Sequence, residues 1–361
     1  MDASDRERLM RVGRVLVDQG RARELVEPRL REQGFWFGGG NVARAPDGAL
    51  WLVGRYRNGG DARVGVEAGP RGAELAVFRS GDGGLTFKPA FSFLKKDLTC
   101  EGEEVVSIEG ACLYIGECGV ELYVSSEKAR PYPQRVRSSQ KSGTGVWSID
   151  VLSAPTAEGL RRARAQSVLR SEEPARLHVK DPVVFNLGGR RTMLFCSHPY
   201  CWSSTNTGCA VTDSPPGGWQ VRKWSVLERG PAWDVAVFRV TARLALPQVG
   251  VLAGQAPASL YFYDGAECIH DHGGGRPRGY SCEEIGGLAV GRDGAFPRIE
   301  RLSVEAPLFV SPHGTGCSRY VSVLEAGDHY LVTWQQSQPD KSQPLVANRV
   351  PKKEVEAALS A

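Results

Sequence analysis

The chain has 361 residues, enough for one large all-β domain or two ordinary ones, and 41% hydrophobic with 24% charged residues is the balance of a folded globular protein. A formal net charge of +4, with no Lys/Arg cluster interleaved with aromatics, argues against a nucleic-acid partner. No apolar run reaches the length of a membrane helix, and Met1-Asp2-Ala3-Ser4-Asp5-Arg6-Glu7-Arg8 is too charged for a secretory signal, so no membrane partner is expected and the cytoplasm is the expected compartment.

Residues 4–33 carry the one sustained helical pattern. Leu9, Val12, Val15 and Leu16, and then Leu25, Val26 and Leu30, recur at three- and four-residue steps, with Ser4 or Asp5 as cap and a break near Gly20. This predicts an N-terminal helical extension over 1–34, whose apolar face packs on the main domain or on a second copy in a homo-oligomer. From Phe35 onward the chain reads as short strands and turns. Gly38-Gly39-Gly40-Asn41 opens the first unit, residues 42–45 and 50–55 pair across Pro46-Asp47-Gly48, and residues 74–79 follow.

Four further units follow. The second starts at Glu101-Gly102 and the third at Lys180-Asp181-Pro182, where the proline sits at a strand's first position. The fourth starts at Asp234, which repeats a D-x-x-V-F pattern, and the fifth near Arg319. With 43 glycines and 22 prolines, five units of four strands predict an all-β, five-bladed β-propeller over 35–361, closed by a short C-terminal helix after Pro351. The nine cysteines are odd in number, dispersed and without a C-x-x-C pair, so free buried thiols are expected rather than zinc ligands. His270-Asp271-His272 has ligand types at close spacing but no evident third partner, and reads as a solvated loop. No metal or cofactor is expected.

In such a propeller the innermost strand of each blade lines the axis, and its start faces one mouth. That reasoning gathers Asn41, Glu101, Asp181, Asp234 and Arg319 around a funnel, with Arg55, Trp202, Glu284, His313 and Trp334 supplied by loops and strand ends above it. Arg55 and Arg319 suit a carboxylate or phosphate, and Trp202 and Trp334 suit a sugar face. Each has a plainer reading: an acid before a strand is a turn residue, an arginine pairs between blades, and a tryptophan fills the core.

Asp181-Pro182 and Glu101-Gly102 resemble motifs of the five-bladed propeller glycosidases of the arabinanase, β-xylosidase and invertase type. The resemblance spans most of 35–350 in architecture and only a few residues in each motif. It implies a small carbohydrate or glycoside substrate, an acid that protonates the leaving oxygen, and a second carboxylate that acts as base or nucleophile. On that basis Glu101 is expected as the acid, with Glu284 as its substitute, Asp234 as base or nucleophile, and Asp181 as the third carboxylate. The chain departs from the pattern at Asn41, where the family's base would stand. Ser80-Gly81-Asp82-Gly83-Gly84-Leu85-Thr86-Phe87 resembles the Asp-box of sialidases, a structural hairpin tip. A sialidase-like hydrolase, a phosphorylase holding phosphate on Arg55, His313 and Lys180, and a non-catalytic ligand-binding propeller stand as the alternatives.

Overall fold

Strands too short to bury a core alone must pack face to face, and this chain does so radially. In the computed structural model, which describes residues 2–58, 71–269 and 284–361, five antiparallel sheets form five blades. Strand β1 (Arg23–Val26) precedes the first blade, which contains β2 (Trp36–Gly38), β3 (Val42–Arg44), β4 (Leu50–Arg57), β5 (Glu74–Ser80) and β6 (Lys88–Leu94). The second holds β7 (Val105–Gly116), β8 (Gly119–Lys128), β9 (Val146–Ala154) and β10 (Gln166–Leu169). The third holds β11 (His178–Leu187), β12 (Arg190–His198), β13 (Asn206–Thr212) and β14 (Gln220–Lys223). The fourth holds β15 (Val237–Ala245), β16 (Ala258–Ala266), β17 (Ile285–Arg292) and β18 (Glu300–Arg301). The fifth comprises β19 (Ser318–Ala326), β20 (His329–Gln336), β21 (Leu345–Pro351) and, as its outer strand, β1. The inner strands β3, β7, β11, β15 and β19 touch their neighbours around the axis.

The N-terminus therefore closes the ring. Arg23 and Glu24 pair with Ala347 and Val346, so that the first strand of the chain covers the edge of β21 in the fifth blade. This corrects the helical expectation for 4–33. The helix α1 is Ala3–Leu16, capped by the Asp2 carboxylate accepting from the Asp5 N–H at 2.8 Å rather than by Ser4 or Asp5. Beyond Gly20 an unfilled sheet edge outweighs local helical preference, and Leu25 and Val26 go into a strand. Leu9, Val12 and Leu16 are buried beside Leu288, Phe309 and the C-terminal helix α2 (Lys352–Ser360), so the apolar face of α1 is covered by its own chain. No helix among the described residues is long and apolar enough to cross a membrane.

Two sequence features take structural roles. At the β5–β6 turn, Asp82 Oδ1 accepts from the Leu85 and Thr86 N–H groups at 3.0 Å each, and bonds from Thr86 and Ser80 hold its carboxyl well below the usual range. Gly84 sits there at φ +85°, where a Cβ would strike Leu331 of the fifth blade at 2.7 Å. Trp334, expected to meet a sugar, is fully buried between α1 and the fifth blade, with its indole N–H 3.3 Å from Gln19 Oε1. Trp334→Ala is expected to cost about 3–5 kcal/mol of unfolding free energy in urea titration, as for a large core aromatic.

Candidate active site

The inner strands are not regular, and their irregularities make the site. Pairing registers slip between Ile108 and Ala111 in β7, Lys180 and Val183 in β11, Val240 and Ala242 in β15, and Arg319 and Ser322 in β19. In the first blade the inner strand is interrupted outright between β2 and β3, with Gly39 at φ +71°. Such bulges re-aim side chains at barrel and propeller mouths. The residues at the breaks, Gly39, Gly110, Asp181, Thr241 and Tyr320, line a narrow axial channel of about 120 Å³. Asp181 and Tyr320 each hold φ +53°, a strained backbone for residues with side chains. Gly110 is required because a Cβ there would lie 2.3 Å from Asp181 Oδ1.

At or just before the same breaks stand Glu109, Lys180, Arg239 and Arg319. They line a wider cavity of about 480 Å³ at one mouth, together with Arg55 and Glu284. Its walls are Trp36, Trp147, Trp202, Tyr132 and Tyr200, the last three from loops between second and third strands. Aromatic walls around a few converging polar groups are the usual make-up of a small-molecule site.

Arg239 is the hub of the floor. Its Nη1 donates to Asp181 Oδ2 at 3.2 Å, and its Nη2 donates to Asp264 Oδ2 and Glu284 Oε2 at 2.7 Å each. Arg319 donates to the same Glu284 oxygen. Asp264, opposite Arg239 on β16, also accepts the Tyr320 N–H at 3.1 Å, and Asp181 Oδ1 accepts the Gly110 N–H at 3.1 Å. On the other side, Arg55 donates twice to Glu109 Oε2, at 2.7 and 3.1 Å, and Arg57 stands 3.9 Å from Glu109 Oε1.

The two sides are electrostatically distinct. Burial pushes Glu109 up, but Arg55, Lys180 and Arg57 outweigh it and hold the carboxyl well below its ordinary range. Burial also works against ionised Glu284, which Arg239 and Arg319 bring down to about 2. Asp264 goes the other way. Full burial, reinforced by the Glu284 charge, exceeds the pull of Arg239 and lifts it to about 6. Because one guanidinium serves both acids, Asp264 and Glu284 titrate as a pair.

A stability signature follows. A folded-state pKa above the unfolded one means that the folded protein holds the Asp264 proton more tightly. That contribution is complete below about pH 4 and is lost as pH rises through about 6. Asp264→Asn keeps an acceptor and cannot ionise. Its melting temperature is therefore expected to gain on wild type between pH 4 and pH 7, and a constant difference would remove the assignment.

The residues expected from sequence divide accordingly. Arg55, Trp202, Glu284 and Arg319 line the cavity, and Asp181 and Asn41 line the channel below it. Asn41 ties two blades together, donating to the Leu113 carbonyl at 2.9 Å and accepting its N–H at 2.7 Å. Trp202 is already stacked on His178 at 4.3 Å and tilted against His198 at 4.5 Å, which limits the face it offers a sugar. Glu101 lies outside both cavities, in an exposed turn 4.0 Å from Arg170. Asp234 is also outside. It is buried, bonded to Arg301 Nε at 2.8 Å and the Tyr263 hydroxyl at 3.1 Å. His313 lies in the 311–316 turn and lines neither cavity. The assignment of Glu101 and Asp234 to the funnel is thus corrected. Both precede their strands by several residues, whereas the mouth positions lie inside the strands at the breaks. The sequence reading gives no role to Glu109, Arg239 or Asp264, and names Tyr320 only beside Arg319 in the sialidase-like alternative. Glu109 and Arg239 share a signal, a charged residue in the first half of an inner strand one or two positions before the break, whereas Asp264 lies opposite Arg239 on a second strand. His270-Asp271-His272 lies outside the described residues. Among those described, no cluster of three or more His, Cys, Asp or Glu is arranged to hold a metal.

No family model matches the chain, and no curated protein matches it. Solved structures do. An α-L-arabinofuranosidase from Lactobacillus brevis superposes with a TM-score of 0.59 at 12% identity, covering 90% of this chain and 92% of that one. An exo-1,5-α-L-arabinanase from a bovine ruminal metagenomic library gives 0.55 at 11% identity, covering 91% and 94%. A β-1,2-mannobiose phosphorylase from Listeria innocua, solved with β-1,2-mannobiose, gives 0.54 at 13% identity, covering 93% and 96%. At these identities the likeness establishes the fold, and the chain is a five-bladed β-propeller of the same architecture as these carbohydrate-active enzymes.

Proposed function

We propose that the chain is a glycoside hydrolase that removes terminal sugars, furanosides among them, from short oligosaccharides or glycosides in the mouth cavity. The observation that carries this reading is the pair of cavity carboxylates, Glu109 and Glu284, held by separate arginine sets within aromatic walls. Glu109, pinned as the anion by Arg55, suits the base or nucleophile. Glu284, held as an anion by Arg239 and Arg319, faces the cavity beside Asp264, which keeps its proton to about pH 6, and in this reading the proton for the leaving oxygen is drawn from that pair through Glu284. Asp181 positions Arg239 from beneath. The names of the solved neighbours, an arabinofuranosidase and an exo-arabinanase, favour a pentofuranoside.

Residues 35–361 form the catalytic body in this reading, with 1–34 as its closure. The eight described cysteines are free, which fits a reducing compartment such as the cytoplasm. The test is release of nitrophenol from a panel of nitrophenyl furanosides and pyranosides, with and without inorganic phosphate. Turnover of at least one substrate is expected, and no release across the panel overturns the reading.

A further inference from the structure

The charges around the cavity are unevenly distributed. On the Glu284 side, Arg239 and Arg319 face three carboxylates, Glu284, Asp264 and Asp181. On the Glu109 side the balance is reversed. Arg55, Arg57, Lys180 and Arg71 gather about Glu109 and Glu127, the last ion-paired with Arg71 at 2.6 Å. Even with Arg57 set aside, Arg55, Lys180 and Arg71 outnumber the two carboxylates among the described residues of that side.

Lys180 concentrates it. The side chain is only 8% exposed, lines the cavity, and has no hydrogen-bond partner for Nζ among the described residues. Its nearest carboxylate oxygen, on Asp181, is 4.0 Å away, beyond hydrogen-bond reach. Nζ instead sits 5.4 Å from the ring centres of both Trp147 and Trp202. Two indole faces stabilise a cation but accept no conventional hydrogen bond, so the ammonium presents its donors to the cavity. Burial favours the neutral amine, yet Glu109 and Asp181 outweigh it and keep Lys180 charged. Arg55 is similar in part: two of its nitrogens hold Glu109, while buried Nη1 has no partner.

We propose that the Glu109 side of the cavity receives an oxyanion, the carboxylate of a sugar acid or inorganic phosphate, on the Lys180 ammonium with Arg57 beside it. As the carboxylate of a sugar acid it names the substrate class of the glycosidase reading and rests on that reading for its catalytic meaning; as phosphate it is a second ligand of the same cavity. The binding event itself does not depend on turnover. An acceptor on Lys180 engages donors that face the cavity, and the carboxylate-rich Glu284 side remains for acid–base chemistry. Trp147 and Trp202 wall the anion in and lower the local dielectric, which strengthens the contact.

The test is calorimetric titration of the full chain with methyl β-glucuronide, methyl β-glucoside and inorganic phosphate, at low and high salt. The glucuronide, phosphate or both should bind at least about 10-fold more tightly than the glucoside, as a charge-assisted bond provides. High salt should weaken the anions and leave the glucoside unchanged. Lys180→Met should weaken anion binding by about 10-fold or more. Arg57→Gln, nearer the rim, provides a second variant should Lys180→Met fail to fold. Binding of the glucuronide alone identifies a sugar acid, and binding of phosphate alone identifies the free anion. Equal binding of glucoside and anions, or unchanged anion binding in both folded variants, overturns the proposal. Loss of turnover in the nitrophenyl panel leaves these titrations standing, so the two readings fail separately.

Discussion

Glu284→Gln is expected to lower kcat/KM by about 10²–10⁴-fold on glycosides with alkyl leaving groups, the usual worth of a positioned general acid. The amide keeps the volume and can still accept from Arg239 and Arg319, but it has no proton to deliver. Nitrophenolate leaves without protonation, so the same variant should lose much less on nitrophenyl substrates. Glu109→Gln should instead lose activity on both leaving groups alike, because a base or nucleophile acts whatever departs. Glu101→Gln is the control. Its carboxylate is exposed and outside both cavities, so turnover should be unchanged. A Glu284→Gln enzyme as active on alkyl glycosides as wild type would remove the assigned acid. If Glu109→Gln showed the leaving-group dependence instead, the roles of the two carboxylates would be exchanged.

What the sequence revealed and what it hid have the same physical origin. Alternation and turn chemistry are local, so the strand units and the five-bladed closure were legible from residues such as Val183, Phe185 and Leu187. The fate of residues 21–26 was not, because only the vacant edge of β21, more than 300 residues away, makes Leu25 and Val26 a strand. The site shows the same division. Asp181 and Arg319, which line the channel and the cavity, lie close to the starts of strong apolar runs and so stand out in the sequence. Glu109 and Arg239 were passed over because a bulge shifts the mouth several residues into the strand, and a bulge is set by pairing with the neighbour rather than by composition. Asp234, an acid before a strand, shows the cost of reading the start as the mouth: its partners are Arg301 and Tyr263, outside the cavity.

A stability effect as large as that of Trp334→Ala is expected at Arg239. The side chain is 2% exposed and bonded to Asp181, Asp264 and Glu284, and its guanidinium carbon lies 4.1 Å from the Tyr320 ring centre. Arg239→Met retains most of the apolar stem and removes the charge. Three carboxylates then remain in a site that already displaces one of them upward, and among the described residues only Arg319 and Lys180 are close enough to compensate. Removing one partner of a buried ion pair costs about 3–5 kcal/mol, since the desolvation of the stranded charge is no longer offset. The loss should be read as a lower urea midpoint at unchanged slope. It should also depend on pH in a defined direction. In the variant the stranded acids bind protons more readily, so the penalty should be largest above pH 7 and should shrink toward pH 5 as they become neutral. Arg239→Lys restores charge but not the planar fork that reaches three acids at once, and should recover only part of the stability. A penalty of full size and independent of pH would mean that Arg239 contributes by packing on Tyr320 rather than by holding the carboxylates. It would also withdraw the electrostatic basis for the proton kept on the Asp264–Glu284 pair.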